Sequence, residues 1–315
     1  MSTTKIGIEM IAQSWISHGS DERAGTDTLF RRQRVDVDGV AMEVPIVSGN
    51  ALRGRLRRVA AERYCTALGL REKSLPAWLY YSLFCGGSIQ KGDEGCKMGI
   101  ADRRAIRENC PFLSLWGASW RSDILQGKLT VGMLWPVCRE TEAMTGIHNT
   151  RSIHEFLDEV ASTRKDDRES KWMADEKTEA EPEVENQGQI DFFDAVDELN
   201  SPAKPATPAQ ARPKPRKNGA VQMLYRTEAL IPGTRLAGLF VLEDANPVEA
   251  ACLADIVNTW RENPTIGGKA ATGFGRVDLA VTHGEFADPA PYAAYLAERR
   301  DAIRAWLAEQ GAILA

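Results

Sequence analysis

Apolar and polar residues alternate along Lys5 to Ser17 (KIGIEMIAQSWIS), the period-two pattern of a strand with one buried face. Val40 to Val47 predicts a second strand. From Gly49 to about Leu68 the period lengthens. Leu52, Leu56, Val59 and Ala60 form one apolar stripe there, so the stretch predicts a helix with Ser48 or Asn50 placed to cap its first turn. Lys128 to Cys138 (KLTVGMLWPVC) and Arg235 to Glu243 (RLAGLFVLE) predict strands. Pro247 to Trp260 predicts a helix opened by proline and supported by Glu249 in its first turn. Gly275 to Thr282 predicts a closing strand, and Tyr292 to Leu307 a terminal amphipathic helix.

Strand, helix, strand, strand, helix, strand is the order of an α+β ferredoxin-like (RRM-like) fold. Residues 1–70, 128–138 and 226–315 would form that unit, interrupted by insertions at 71–127 and 139–225. The second insertion contains a stretch, about 165–217, whose composition predicts disorder or a solvated excursion. Its first part (TEAEPEVENQGQ) is charged and poor in apolar residues, and its second (SPAKPATPAQARPKPRK) carries five prolines and five basic residues without an acid. Between them, Ile190 to Leu199 (IDFFDAVDEL) can form one amphipathic helical patch.

Composition changes the picture mainly through charge. The chain has 315 residues and a net charge of −5, which by itself argues against a polyanionic partner. Residues 165–200, however, hold thirteen acidic and four basic side chains, and without them the remainder stands at +4. The body is mildly basic. The N-terminal stretch lacks the basic and apolar regions of a secretory leader, and no window approaches eighteen apolar residues, so a cytoplasmic protein without a membrane partner is expected. Six cysteines show no C-x-x-C pair. Buried reduced thiols are expected rather than a metal site, although Cys85, Cys96 and Cys110 could in principle meet. The four histidines have no zinc-hydrolase spacing, and no cofactor is indicated. Trp15, Trp78, Trp116 and Trp135 sit in apolar contexts and read as core residues.

Basic residues concentrate in PIVSGNALRGRLRR, Pro45 to Arg58, at a predicted strand-to-helix junction. The unpaired N–H groups at a helix start favour an anion before any side chain is counted. Ser48 and Asn50 can cap the helix or donate to a phosphate, Gly49 and Gly54 permit close backbone approach, and Arg53 and Arg57 share a face. The alternative is a solvated helix whose arginines pair with acids. Only Glu62 and Glu72 lie nearby against seven basic residues from Arg53 to Lys73, which favours phosphate contact. A second stretch, IGGKAATGFGRV (Ile266 to Val277), follows a helix and precedes a strand, so it is not a nucleotide-binding G-x-G-x-x-G. Gly267, Gly268, Lys269, Gly273, Phe274, Gly275 and Arg276 can lie along a polyanion, with Phe274 stacking on a base or sugar; the alternative is a tight turn with Phe274 in the core.

Together these stretches resemble the RAMP superfamily. PIVSGNALRGRLRR is similar to its helix signature and GGKAATGFGRV to the glycine-rich loop ending its ferredoxin-like domain. WISHGSDERAGTD, CPFLSLWGASW and RTEALIPGTRLAGLFVLE match further elements in order. The form most resembled is the backbone subunit (Cas-seven type) of CRISPR effector complexes, type IV first and type III second. The resemblance implies a palm holding guide RNA (crRNA), fingers at 71–127 and a thumb at 139–225. It further implies copies of itself in a helical filament, other effector subunits (a large subunit, a Cas-five-type cap, a Cas-six-type processing enzyme, a helicase) and a DNA or RNA target. In type III relatives an aspartate after the first strand cleaves target RNA. Asp27 falls near that position, with Asp21 and Glu22 as other alignments, whereas type IV backbone subunits hold without cutting, so no catalytic residue is expected. Arg31, Arg32 and Arg34 form a second basic strip. His18 leaves a guide-processing endoribonuclease as a rival, weakened by the SGNALRG helix, which such enzymes lack.

Overall fold

A computed structural model describes residues 2–24, 27–71, 73–87, 98–120, 123–165 and 222–311. The chain divides into two units, Met1–Ser162 with Tyr225–Ala315, and Thr163–Leu224. The second is described only at its two ends, so the predicted 165–217 excursion, including Ile190 to Leu199, lies outside the described residues apart from the first position.

In the first unit, strands Thr3–Ala12, Leu129–Val131, Arg235–Glu243 and Val277–His283 share one antiparallel sheet. Numbered within the fold they lie in the order fourth, first, third, second, which is the ferredoxin-like arrangement. The period-two pattern sets the register. Ile6, Ile8 and Met10 on the first strand, and Leu236, Phe240 and Leu242 on its neighbour, are all buried on the same side. Helices Gly49–Ala67 and Pro247–Arg261 cover that side with Leu52, Leu56, Ala60, Leu253, Ile256 and Val257. The second helix begins with a reciprocal cap between Asn246 and Glu249, and the Glu249 carboxylate, 1% exposed, also takes two bonds from Lys128 at 2.7 and 2.9 Å. A buried carboxylate satisfied by the Lys128 ammonium and by one backbone N–H, that of Asn246, thus ties this helix to the strand beneath it.

Several predicted boundaries move, each for a structural reason. The first strand ends at Ala12 because residues 13–18 turn away to pair with another loop. The stretch from Lys128 to Cys138 is two short strands, Leu129–Val131 and Trp135–Pro136: Leu134 leaves the ladder between them to exchange hydrogen bonds with Val47 at 2.9 and 3.1 Å. Val40–Pro45 forms a hairpin with Arg32–Val37, and the terminal helix breaks at Arg299 into Ala290–Glu298 and Arg300–Glu309. Strands Gly19–Ala24 and Asp27–Phe30, which join a second sheet with Leu157–Lys165 and Gln222–Leu230, had no legible alternation.

The 71–127 segment belongs to the same unit as the ferredoxin-like core. Helices Ile100–Asn109 and Pro111–Trp116 pack on the first core helix, where the Tyr64 hydroxyl donates to Asn109 O at 2.9 Å. Trp120 stacks on Trp306 of the terminal helix.

The two glycines of the first core helix have opposite surroundings. A Cβ on Gly49 would stand 2.1 Å from Val131 O and 2.8 Å from Gly132 O, whereas one on Gly54 would meet nothing within 4 Å. The expected close approach therefore holds at Gly49 only. Gly49→Ala should lower the free energy of unfolding by about 2 kcal/mol or more, through overpacking against backbone that cannot yield. Gly54→Ala should raise it by up to about 1 kcal/mol through helix propensity. Urea unfolding of both variants separates the two, and equal shifts would contradict the packing described.

Candidate functional site

The Pro45-to-Arg58 stretch divides by depth. Ser48 is the N-cap, its Oγ accepting from Ala51 N at 3.3 Å, while Asn50 beside it is exposed. Arg57 lies 7% exposed, and its guanidinium donates to Ser82 O at 3.4 Å, Trp116 O at 2.9 Å and Gly117 O at 2.6 Å. Arg53 also donates to Trp116 O, at 2.5 Å, and the Trp116 indole returns a bond to Arg53 O at 3.1 Å. Trp116 and Gly117 end the Pro111–Trp116 helix, whose last carbonyls have no partner within the helix. In the folded chain Arg57, expected at a phosphate, has its guanidinium on backbone carbonyls. It serves the carbonyls of a neighbouring helix end, and Arg53 does so in part. Burial, followed by the charge of Arg53, pulls Arg57 down to about 10, which leaves it a cation at neutral pH, and burial also lowers Arg53.

A cleft of about 530 Å³ opens beside them, lined by Asn50, Arg53, Gly54, Arg57, Trp116 and Gln126 among others. Gly54 leaves that space open. The cleft thus carries two guanidiniums at its wall, with Cys85, an exposed thiol, at its edge. The expectation of buried thiols holds for Cys110, Cys138 and Cys252 but not for Cys85, the last residue of a short π-helix, which is exposed. Cys96 lies outside the described residues.

The glycine-rich loop is built against residues 13–18. Gly268 N donates to Ser17 O and Gly275 N to Trp15 O, each at 2.7 Å. Gly267, at φ +71°, passes so close that a Cβ would stand 2.3 Å from Ser17 O, and Gly275, at φ +85°, similarly crowds Ile266 O. Gly273 also has positive φ but faces open space. The loop presents Lys269 and Arg276 as exposed side chains. The Lys269 ammonium bonds the Thr227 hydroxyl and lies 6.0 Å from the ring of Phe274, which is partly buried.

Residues 15–18 face the other way as well. His18 Nε2 stands 3.1 Å from Ser48 Oγ, and His18 O accepts from Arg31 N at 2.7 Å. Four consecutive residues therefore join the glycine-rich loop to the start of the first core helix. Sequence reasoning raised His18 only as a sign of a processing enzyme and did not foresee this joint; its signal was a polar Ser–His pair ending an apolar alternation. The imidazole sits edge-on to Phe30, and burial first and the Arg31 charge second hold it below its ordinary value, with Asp21 opposing.

The second basic strip is unequal. Arg31 pairs with Asp21 at 2.7 Å, and Arg32 with Glu228, which also accepts from Phe30 N. Arg34 is exposed, across a hairpin from Glu43. Asp27 opens the Asp27–Phe30 strand rather than lying in a loop, and its Oδ1 accepts from Arg226 N at 3.3 Å. Among the described residues no group of three His, Cys, Asp or Glu side chains could hold a metal ion, and no helix is long and apolar enough to cross a membrane.

No family model and no curated protein matches the chain. Among solved structures, a chain of a structure titled Type IV-B CRISPR Complex superposes with a TM-score of 0.55 at 20% identity, over 90% of this chain and 94% of that one. At that identity the likeness is one of fold.

Arg57→Met should cost on the order of 2–3 kcal/mol, because three carbonyls, those of Ser82, Trp116 and Gly117, lose a charged donor. Arg58→Met, one position along and exposed, should stay within about 0.5 kcal/mol. Denaturant midpoints of the pair measure this, and a tolerant Arg57 would return it to the list of ligand contacts.

Proposed function

We propose that this chain is a multi-copy backbone subunit of a type IV CRISPR effector complex, holding the sugar-phosphate backbone of a guide RNA. The observation that carries the reading is the joint at residues 15–18, which sets the glycine-rich loop and the start of the first core helix side by side on a ferredoxin-like sheet. The fold shared with a chain from a Type IV-B CRISPR complex supports the same assignment.

The chemistry suits holding. Exposed cations (Lys269, Arg276 and Arg34), the positive end of a helix dipole and glycines that clear space for another backbone all meet phosphate and sugar without reading bases. Sequence recognition then falls to base pairing by the guide. Successive copies along one RNA would form the filament, joined by the other effector subunits and a nucleic-acid target. Arg53 and Arg57 act behind this surface by fixing the helix on which it is built.

Expressed with a repeat-spacer array, the protein should co-purify with RNA of defined length. Absence of such RNA would remove the reading. Lys269→Glu combined with Arg276→Glu should reduce the retained RNA at least tenfold, since each phosphate contact contributes to a strongly salt-dependent affinity, with the thermal midpoint little changed. Retention at the natural level would move the interface elsewhere. Complementary RNA added to the assembled complex should remain uncut; cutting at regular spacing that Asp27→Ala abolishes would replace a holding subunit with an RNA-guided ribonuclease.

A further inference from the structure

A second cavity, of about 600 Å³, opens at the far end of the first core helix, between its last turns and the chain that follows as far as Phe84. Its nearest helix residue, Glu62, lies about 20 Å along the axis from Ser48, so this is not the surface described above. We propose that the cavity holds one nucleotide of a single-stranded nucleic acid, its base against tyrosine rings and its phosphate at Arg71 and Lys73. The site is separate from the guide-holding surface, and its assignment does not rest on that reading.

The rings point there first. Among the described residues, the exposed large apolar side chains include just two aromatics, Tyr80 at 44% and Tyr81 at 43%, and both line this cavity. Tyr80 stacks on Phe84, another lining residue, with centroids 4.8 Å apart and planes 20° from parallel, and Tyr81 stands edge-on to Tyr80 at 5.6 Å. A planar base extends such a cluster, since every base has a π face and stacking needs no particular sequence. Half-buried Leu70, Leu75 and Cys65 add an apolar lining. Burial, and after it the charge of Glu62, pushes the Cys65 thiol up to about 11, so it stays neutral and brings no anion to the cavity.

The turn that carries the rings is fixed from behind. It is the π-helix Tyr81–Cys85, which continues the short helix Ala77–Tyr80. Ser82 within it is buried, donates from its hydroxyl to Ser119 O at 2.7 Å and accepts at its carbonyl from Arg57 at 3.4 Å. A platform held in this way loses little entropy on binding.

Charge selects the ligand. Arg71 and Lys73 are exposed at the cavity, and among the described residues neither forms an ion pair. With Glu62 the lining carries a net +1. A phosphodiester within a strand carries one negative charge and matches it, whereas a free nucleotide carries more. An acidic side chain of a protein partner offers the charge without the planar face; a nucleotide joins the two in one unit.

The test measures fluorescence anisotropy of the full chain with two short labelled probes, a single-stranded oligoadenylate and the same ribose-phosphate backbone without bases. Tyr80→Ala should weaken binding of the base-bearing probe about tenfold and leave the abasic probe unchanged, while Tyr80→Phe keeps natural binding. Arg71→Glu combined with Lys73→Glu should weaken both probes alike and flatten the salt dependence. The Tyr80 effect should persist in the Lys269→Glu, Arg276→Glu chain, because the two sites are separate. If Tyr80→Ala and Tyr81→Ala leave the base-bearing probe unchanged, or if the natural chain binds neither probe, the inference is overturned, and co-purification with RNA still decides the guide-holding reading by itself. Displacement of the strand by an equal concentration of adenosine monophosphate also overturns it, since a free nucleotide would then be the ligand. Should Tyr80→Ala fail to fold, Tyr80→Leu keeps the bulk and removes the π face; equal loss of both probes there marks a structural role and is an overturning result.

Discussion

The ladder between Thr3–Ala12 and Arg235–Glu243 is the constraint on which the molecule turns. Nine residue pairs, from Thr3 with Glu243 to Ile11 with Arg235, close a chain loop of more than two hundred residues. The entropy of closing so long a loop grows only slowly with its length, so the insertions within it are tolerated provided the ladder forms. Its register carries Ile6, Ile8 and Met10 into one core with Leu236 and Phe240. It also delivers residues 13–18, as they leave the first strand, to the glycine-rich loop that precedes the last. The placing of the glycine-rich loop beside the start of the first core helix is a consequence of that delivery.

Charge in this protein does two kinds of work, and depth separates them. Arg57 and Lys128 are spent on buried acceptors, the one on a helix end and the other on the Glu249 carboxylate. Lys269, Arg276 and Arg34 stay at the surface. A buried guanidinium without its carbonyls would be too costly to desolvate, and a helix end without donors would leave its last carbonyls unpaired, so the two defects cancel. Arginine suits the position because its planar fork reaches several carbonyls at once.

Much of the fold was legible because long apolar patterns fix both period and face. The Gly49–Ala67 and Pro247–Arg261 helices and the Arg235–Glu243 strand lie within a residue or so of where periodicity put them. Short strands such as Asp27–Phe30 were not legible, since four residues with one buried position carry no period. At the site, the two glycine-containing stretches stood out by composition. The depth of Arg57 did not, because a row of arginines on a helix reads alike whether it faces solvent or a neighbouring helix end that lies sixty residues away in sequence.

The sequence by itself determined the α+β class, the order of the core elements, the helix start with Ser48 or Asn50 to cap it and the two basic, glycine-containing stretches, because each depends on neighbours within a few residues. Only the tertiary structure decided which arginine holds the protein and which faces outward, that Gly49 rather than Gly54 admits another backbone, and that His18 meets Ser48. Those outcomes depend on segments brought together by the ladder of the central sheet, and burial and hydrogen-bond partners across such distances are written in no local pattern.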